Sequence, residues 1–317
     1  MSQQSFSAGV KNELAKKLAP DKEGMRSELC ALLNTGAKIR KDPWSISFQS
    51  EQEAIIKKVF TLVEKLYRIR MTVSVRSERR RKWTQYTASL TEPTLVCQIL
   101  EGLGMLDGSQ YEKRIPFEWI TKGSSMQAYI RGAFLGGGSV TNPQKNYHVE
   151  LINSSQLHQE QLQEMLQYFE LDMHMIVRSR QHQSVYVLYL KEGEQIVDLL
   201  NVMQAYTALM DLENIRIEKE MRNQINRSVN CEAANLQKVV QASLKQVEDI
   251  RYLIQCVGWE GLSVPLAQMA RVRLDHPDES LQELGKFLDP PVGRSGVNHR
   301  LRKLSEMAEK LRQEHND

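Results

Sequence analysis

The sequence predicts an α+β domain with pseudo-twofold symmetry, followed by a smaller all-α domain. Three observations lead there. At 317 residues the chain is about twice the usual single-domain length, so two or three domains are expected. Shifted by 102 residues, the chain falls into register with itself over its first two hundred positions. Beyond Gly258 only helical periodicity remains, in three short segments.

The elements follow in order. Residues 1–20 are expected to hold one N-terminal helix. The repeat then begins: Glu28-Leu29-Cys30-Ala31-Leu32-Leu33-Asn34-Thr35-Gly36 lies on Ile130-Arg131-Gly132-Ala133-Phe134-Leu135-Gly136-Gly137-Gly138. Val75-Arg76-Ser77 lies on Val177-Arg178-Ser179, and Tyr86 and Leu90 meet Tyr186 and Leu190. In each copy a short apolar helix ends at a glycine, Gly36 or Gly138, read as a C-terminal cap. An alternating strand follows, Trp44 to Phe48 or Tyr147 to Ile152. Next comes an amphipathic helix (Ile55, Ile56, Val59, Phe60, Val63, Leu66; then Leu157, Leu162, Met165, Leu166, Phe169). Two strands close each copy as a hairpin, 71–76 with 84–90 and 173–178 with 184–190. The unit is helix-strand-helix-strand-strand-helix, over about 21–105 and again over about 123–210. Antiparallel strands with helices on one face form an α+β layer.

Composition narrows the class. A hydrophobic fraction of 41%, with 26% charged residues, supplies real cores and excludes wholesale disorder and a membrane-spanning bundle. No run of about 18 apolar residues occurs and no secretory signal is visible, so no membrane partner is expected and the cytoplasm is the expected compartment. The four cysteines, Cys30, Cys97, Cys231 and Cys256, are far apart, which fits buried thiols in a reducing compartment and neither a disulfide framework nor a zinc clip. Net charge is +3, unevenly spread: residues 1–100 carry 18 Lys and Arg against 10 Asp and Glu, whereas 101–220 carry 10 against 16. A polyanion partner would therefore be touched locally.

The paired glycine-rich helices resemble those of LAGLIDADG homing endonucleases, where two such halves pack about a pseudo-twofold axis. In that fold each helix ends in an acid, and the two acids hold the metals that activate water. The matching positions here are Thr35 and Gly137, and neither binds magnesium. No catalytic residue, metal site or cofactor is therefore expected. Gly136-Gly137-Gly138 lacks the preceding strand and the Lys-Ser/Thr of a phosphate loop.

Candidate nucleic-acid contacts fall in three places. Arg76, Arg79, Arg80, Arg81 and Lys82, with Trp83, make a basic first hairpin. Such a run is also what a solvated tip looks like, and both readings stay open. The connector, 211–258, is polar and mostly helical; Arg222 and Arg227 sit there among asparagines suited to bonding DNA or simply linking domains. Residues 259–317 form the third place. Ser263 is expected to cap a first helix and Pro277 to open a second. Asp289-Pro290-Pro291-Val292-Gly293 breaks the chain, and Ser295 caps a last helix with Val297, Leu301, Leu304, Ala308 and Leu311 inward. That is the layout of a helix-turn-helix. Asn298, His299 and Arg302 point away from the apolar stripe, toward base edges. Arg294, Ser295, Arg300 and Lys303 are better placed for phosphate. A solvated basic face is the plainer alternative.

Met221-Arg222-Asn223, Asn226-Arg227, Val229-Asn230-Cys231-Glu232, Ala234-Asn235-Leu236 and Gly296-Val297-Asn298-His299-Arg300-Leu301-Arg302-Lys303-Leu304 resemble the WhiA family of Gram-positive bacteria. So do Ser7 to Leu14 and Arg131 to Leu135 with Gly137 to Val140. The resemblance runs nearly end to end. It implies a degenerate endonuclease domain joined to a helix-turn-helix over about 275–309, a non-enzymatic transcription regulator. It further implies roles in cell division, chromosome segregation and sporulation, double-stranded DNA and an accessory regulator protein as partners, and association with the nucleoid. A metal-dependent nuclease using acids outside the motif, and a structural nucleoid or division factor, are the alternatives.

Overall fold

A computed structural model describes residues 5–78, 83–108, 110–180 and 183–314. The chain divides into two compact units, Met1–Lys219 and Glu220–Asp317.

The N-terminal unit begins with α1 (Phe6–Lys16), where the Ser5 hydroxyl accepts from the Ala8 amide at 3.2 Å. The first half follows as α2 (Lys22–Gly36), β1 (Ala37–Arg40), β2 (Ser45–Ser50), α3 (Glu53–Tyr67), β3 (Thr72–Glu78), β4 (Trp83–Leu90) and α4 (Pro93–Gly102). A small hairpin, β5 (Leu106–Asp107) and β6 (Gln110–Tyr111), leads into the second half. That half is α5 (Gly123–Gly137), β7 (Gly138–Val140), β8 (Val149–Asn153), α6 (Gln156–Gln167), β9 (His174–Arg180), β10 (Gln183–Leu190) and α7 (Gly193–Val202). The sheets run β1-β2-β4-β3 and β7-β8-β10-β9, antiparallel throughout. The repeat read from the sequence is thus an α+β layer used twice.

Each sheet has one strand more than the periodicity predicts. β1 and β7 are edge strands of four and three residues that leave the preceding helix without a turn. They are too short to register as alternation. Trp44, expected at the start of a strand, lies in the turn before β2. Gly138 holds the C-cap position of α5 as expected, but the cap of α2 falls on Ala37, one residue past Gly36. Gly36 and Gly137 are the last helical residues, and neither they nor Gly138 has a positive φ. Their role is proximity: a Cβ on Gly132 would lie 2.5 Å from the Glu28 carbonyl oxygen, and one on Gly136 would overlap the Thr35 side chain. α2 and α5 can pack backbone to backbone only because these positions lack side chains.

One core fills this unit, with Leu29, Leu32, Leu33, Phe48, Ile56, Leu62, Tyr129, Phe134, Leu151, Leu166 and Leu188 fully buried. Of the four cysteines only Cys30 is buried; Cys97 is half-buried, and Cys231 and Cys256 are exposed on the long helix, correcting the expectation of four buried thiols. Burial pushes the Cys30 thiol up to about 12.

α8 (Tyr206–Val257) is one continuous 52-residue helix with residues in both units. Its start is held from α1, whose Glu13 carboxylate accepts from the Thr207 and Ala208 amides at 2.9 and 3.0 Å. A carboxylate on the first turn satisfies donors that a helix start leaves unpaired.

The C-terminal unit packs the end of α8 against α9 (Val264–Asp275), α10 (Leu281–Lys286) and α11 (Arg294–Glu314). Ile250, Leu253, Leu266, Met269, Leu284, Val297, Leu301, Leu304 and Ala308 form its separate core. Ser263 holds the N-cap position of α9 as expected. α10, however, starts four residues past Pro277: the Ser280 hydroxyl accepts from the Glu283 amide at 3.2 Å and wins the capping role. α11 begins at Arg294, so Ser295 sits inside its first turn and not at its cap.

Candidate nucleic-acid interface

The helix pair brings together Thr35 and Gly137, the positions the sequence sets against the endonuclease acids: a Cβ on Gly137 would lie 3.5 Å from that of Thr35. The Thr35 hydroxyl turns back to donate to the Ala31 carbonyl at 2.7 Å. The nearest acid in the pair, Glu28, lies farther up α2 and is fully buried. Its carboxylate is committed to two cations, accepting from Arg131 Nε of α5 at 2.7 Å and pairing with Lys58 Nζ of α3 at 2.5 Å. Lys58 also donates to the Leu14 and Lys17 carbonyls at 2.8 and 2.6 Å, which ties in the end of α1. Burial draws the Lys58 ammonium down to about 8, against the opposing pull of Glu28. Among the described residues no group of three or more His, Cys, Asp or Glu side chains could hold a metal ion.

The register assigns each sheet an outer face. On the first sheet Ile46, Phe48, Ala88 and Leu90 are buried against the helices. The opposite face carries Lys38, Arg40, Ser47, Gln49, Thr72, Ser74, Arg76, Gln85, Thr87 and Ser89. These ten are all polar and none is acidic; Glu78 and Trp83 continue the same register at the hairpin end. Arg76 is exposed there; Arg79, Arg80, Arg81 and Lys82 lie outside the described residues. The second sheet presents Glu150, Ile152, His174, Ile176, Arg178, Val185 and Tyr189 instead, with Val187 buried among them. Its arginine is already engaged: Arg178 forks onto Glu150 at 2.6 and 3.1 Å, and Glu150 also meets His148 Nε2 at 2.8 Å. The Arg178 guanidinium holds the Glu150 carboxyl below the usual range.

The C-terminal unit positions a second set. α11 buries Val297, Leu301, Leu304 and Ala308 and turns Arg294, Ser295, Asn298, His299, Arg302 and Lys303 to solvent, with Arg300 half-buried at the edge. Arg302 meets Glu306 at 2.8 Å across one helical turn, and its side chain is 77% exposed. Arg294 and Asn298 also line a cavity of about 350 Å³ with Ser280, Gln282, Arg273 and Gln246. Arg222 and Arg227 are exposed on α8.

A residue that sequence reading missed fixes this arrangement. Arg273, 3% exposed, donates to Gln246 Oε1 and to the Glu279 carbonyl, both at 2.9 Å. It thereby joins α8, α9 and the turn into α10. A basic residue on the buried face of a short helix was the available signal. Asp249, 1% exposed, is likewise met by Arg312 of α11 at 2.7 Å.

A LAGLIDADG-like scaffold without its acids, followed by a helix-turn-helix, is therefore the class of protein this fold and these sites define. Comparison with known proteins agrees. Residues 126–222 match the family model of the WhiA LAGLIDADG-like domain, and 225–308 that of the WhiA C-terminal HTH domain. A probable cell division protein WhiA of Desulforamulus reducens is 43% identical over 314 residues, covering 97% of this chain and 96% of the relative. One of the same description from Clostridium perfringens is 42% identical over 315 residues, covering 97% and 98%. A crystal structure of full-length WhiA from Thermatoga maritima superposes with a TM-score of 0.58 at 23% identity, covering 96% of this chain and 98% of that one. The chain belongs to the WhiA family. No helix among the described residues is long and apolar enough to cross a membrane.

Proposed function

We propose that the chain is a non-enzymatic, DNA-binding regulator of transcription that acts in cell division, with further roles in chromosome segregation and, in sporulating relatives, in sporulation. In this reading it works in the cytoplasm on the nucleoid, with double-stranded DNA as its partner and an accessory regulator protein beside it. The printed names of its relatives support the division role, and its helix-turn-helix supports DNA binding. The single observation that carries the reading is the outer face of α11, where Asn298, His299 and Arg302 stand exposed over a helix whose other face is core.

The division of labour follows from chemistry. A fork of guanidinium donors matches a guanine edge, and an amide matches adenine, so Arg302 and Asn298 discriminate bases. Arg294, Ser295, Arg300 and Lys303 hold phosphates and set the register. Arg76, the basic hairpin that follows it, Arg222 and Arg227 add charge without sequence information. The salt bridge to Glu306 is exposed on both sides and screened by water, so it yields readily to a base.

Fluorescence anisotropy on a duplex selected from genomic fragments tests this. Arg302→Ala is expected to weaken binding by about 1–3 kcal/mol, and Lys303→Ala to lower the salt slope by about one. Equal affinity of wild type and Arg302→Ala for the selected duplex would refute the assignment. Supercoiled plasmid incubated with the protein and Mg²⁺ or Mn²⁺ is expected to stay intact; nicking would return the scaffold to the nucleases.

A further inference from the structure

The face of α8 that seats the C-terminal core continues, uncovered, toward the start of the unit. Val247, Ile250 and Leu253 are buried against α9–α11. Met221, Ile225, Val229, Leu236, Val239, Val240 and Leu244 are each between 48% and 65% exposed. At about 100° per residue these seven and the three buried ones share one side of the helix. Glu220, Arg227, Lys238 and Lys245 fall on the opposite side.

Six of the seven positions are palindromic in spacing, Val239 alone falling opposite a polar residue, Asn226. Positions 221 and 244, 225 and 240, and 229 and 236 are each symmetric about the point between Glu232 and Ala233. A twofold axis requires this of a self-paired helix, because residue i must meet j while j meets i. In an antiparallel pair Met221 then lies opposite Leu244, Ile225 opposite Val240, and Val229 opposite Leu236. The 24-residue stretch is about 36 Å long. Seven side chains offering roughly 100 Å² each approach the ~800 Å² per partner of a standard stable interface. The cations and acids of the opposite side stay hydrated, and beside the stripe pairing covers Glu232 and the aliphatic stem of Arg222, whose guanidinium reaches past the end of the stripe to solvent.

We propose that α8 pairs antiparallel with α8 of a second copy of this chain through this stripe. Glu232 lies next to the axis, where the two carboxylates approach each other. It limits the strength of pairing and makes self-association reversible.

Sedimentation equilibrium of the full chain, from about 1 to 100 µM, reads the association directly. Wild type is expected to form dimers in that range. Ile225→Asp and Val240→Asp should be monomeric throughout with unchanged far-UV circular dichroism, since both side chains are exposed in the single copy. Glu232→Gln should dissociate at several-fold lower concentration than wild type. Orientation is read in a Cys231→Ser, Cys256→Ser background: chains carrying Val229→Cys should cross-link to chains carrying Leu236→Cys. A monomer at every concentration, a dimer that Ile225→Asp leaves intact, or cross-linking of Val229→Cys chains to each other in place of the mixed pair would overturn the proposal.

Discussion

The two halves of the N-terminal unit share an order of elements, and even an outward arginine in Arg76 and Arg178, but differ in most of what surrounds it. On the first sheet's outer face Lys38, Arg40 and Arg76 stand among serines, threonines and glutamines. The second mixes Ile152, Ile176 and Val185 with polar groups and carries an acid, Glu150, that already holds Arg178 and His148. Their interiors diverge as well. Near the start of equivalent helices the first half buries Ile55 and Ile56, the second His158 and Gln159. His158 joins a chain of buried hydrogen bonds through Tyr129 and Asn153 at 2.9 Å each, and Asn34 of the first half donates to the same Tyr129 hydroxyl at 2.9 Å. A repeated backbone therefore fixes where groups stand but leaves their chemistry free to separate. One half kept a surface suited to a polyanion, and the other holds much of the buried polar wiring.

The sharpest break in this comparison is Glu28, which receives a cation from each half. Glu28→Ala leaves Lys58 and Arg131 buried without a counter-charge and is expected to cost about 3–5 kcal/mol. Urea unfolding of the N-terminal unit's signal measures it.

His158 comes next. Burial lowers its pKa to about 3, so the unfolded chain binds a proton that the folded one refuses. The stabilisation is complete above the unfolded value near 6.5 and is lost as pH falls toward 3, with about 2 kcal/mol gone by pH 5. Denaturation midpoints between pH 7 and 5 should slope accordingly, and His158→Gln should flatten that slope.

Glu13→Ala removes the carboxylate that caps α8 and is expected to cost about 1 kcal/mol, read as a shift in Tm. The smallest effect contrasts the sheets themselves. Lys38→Ala, Arg40→Ala and Arg76→Ala together should reduce the salt slope of DNA binding by about three, whereas Arg178→Ala should leave it unchanged.

Much of this was legible in the sequence, for a physical reason. The repeat, the amphipathic helices and the buried face of α11 are periodicities, and periodicity is local. The close approach of α2 and α5 was legible too, in Gly132, Gly136 and Gly137 at small-xxx-small spacing, and a Cβ at Gly132 or Gly136 would indeed run into α2. What stayed hidden lives in partnerships between distant residues. Nothing near Glu28 announces Lys58 or Arg131, and nothing near Arg273 announces Gln246. The first edge strand, Ala37–Arg40, was invisible because four residues cannot display an alternation. Among candidate contact residues, Arg294 and Asn298 were anticipated singly, but their shared cavity with Ser280 and Gln246 depends on tertiary packing.

The central claim is that base reading belongs to α11 while the first sheet contributes charge alone. The ratio of affinity for a selected duplex to that for its scrambled counterpart, measured at one salt concentration, separates the two. Arg302→Ala is predicted to lower that ratio about tenfold or more, and Arg76→Ala to weaken both duplexes equally and leave it unchanged. A ratio that survives Arg302→Ala and collapses in Arg76→Ala would contradict the account.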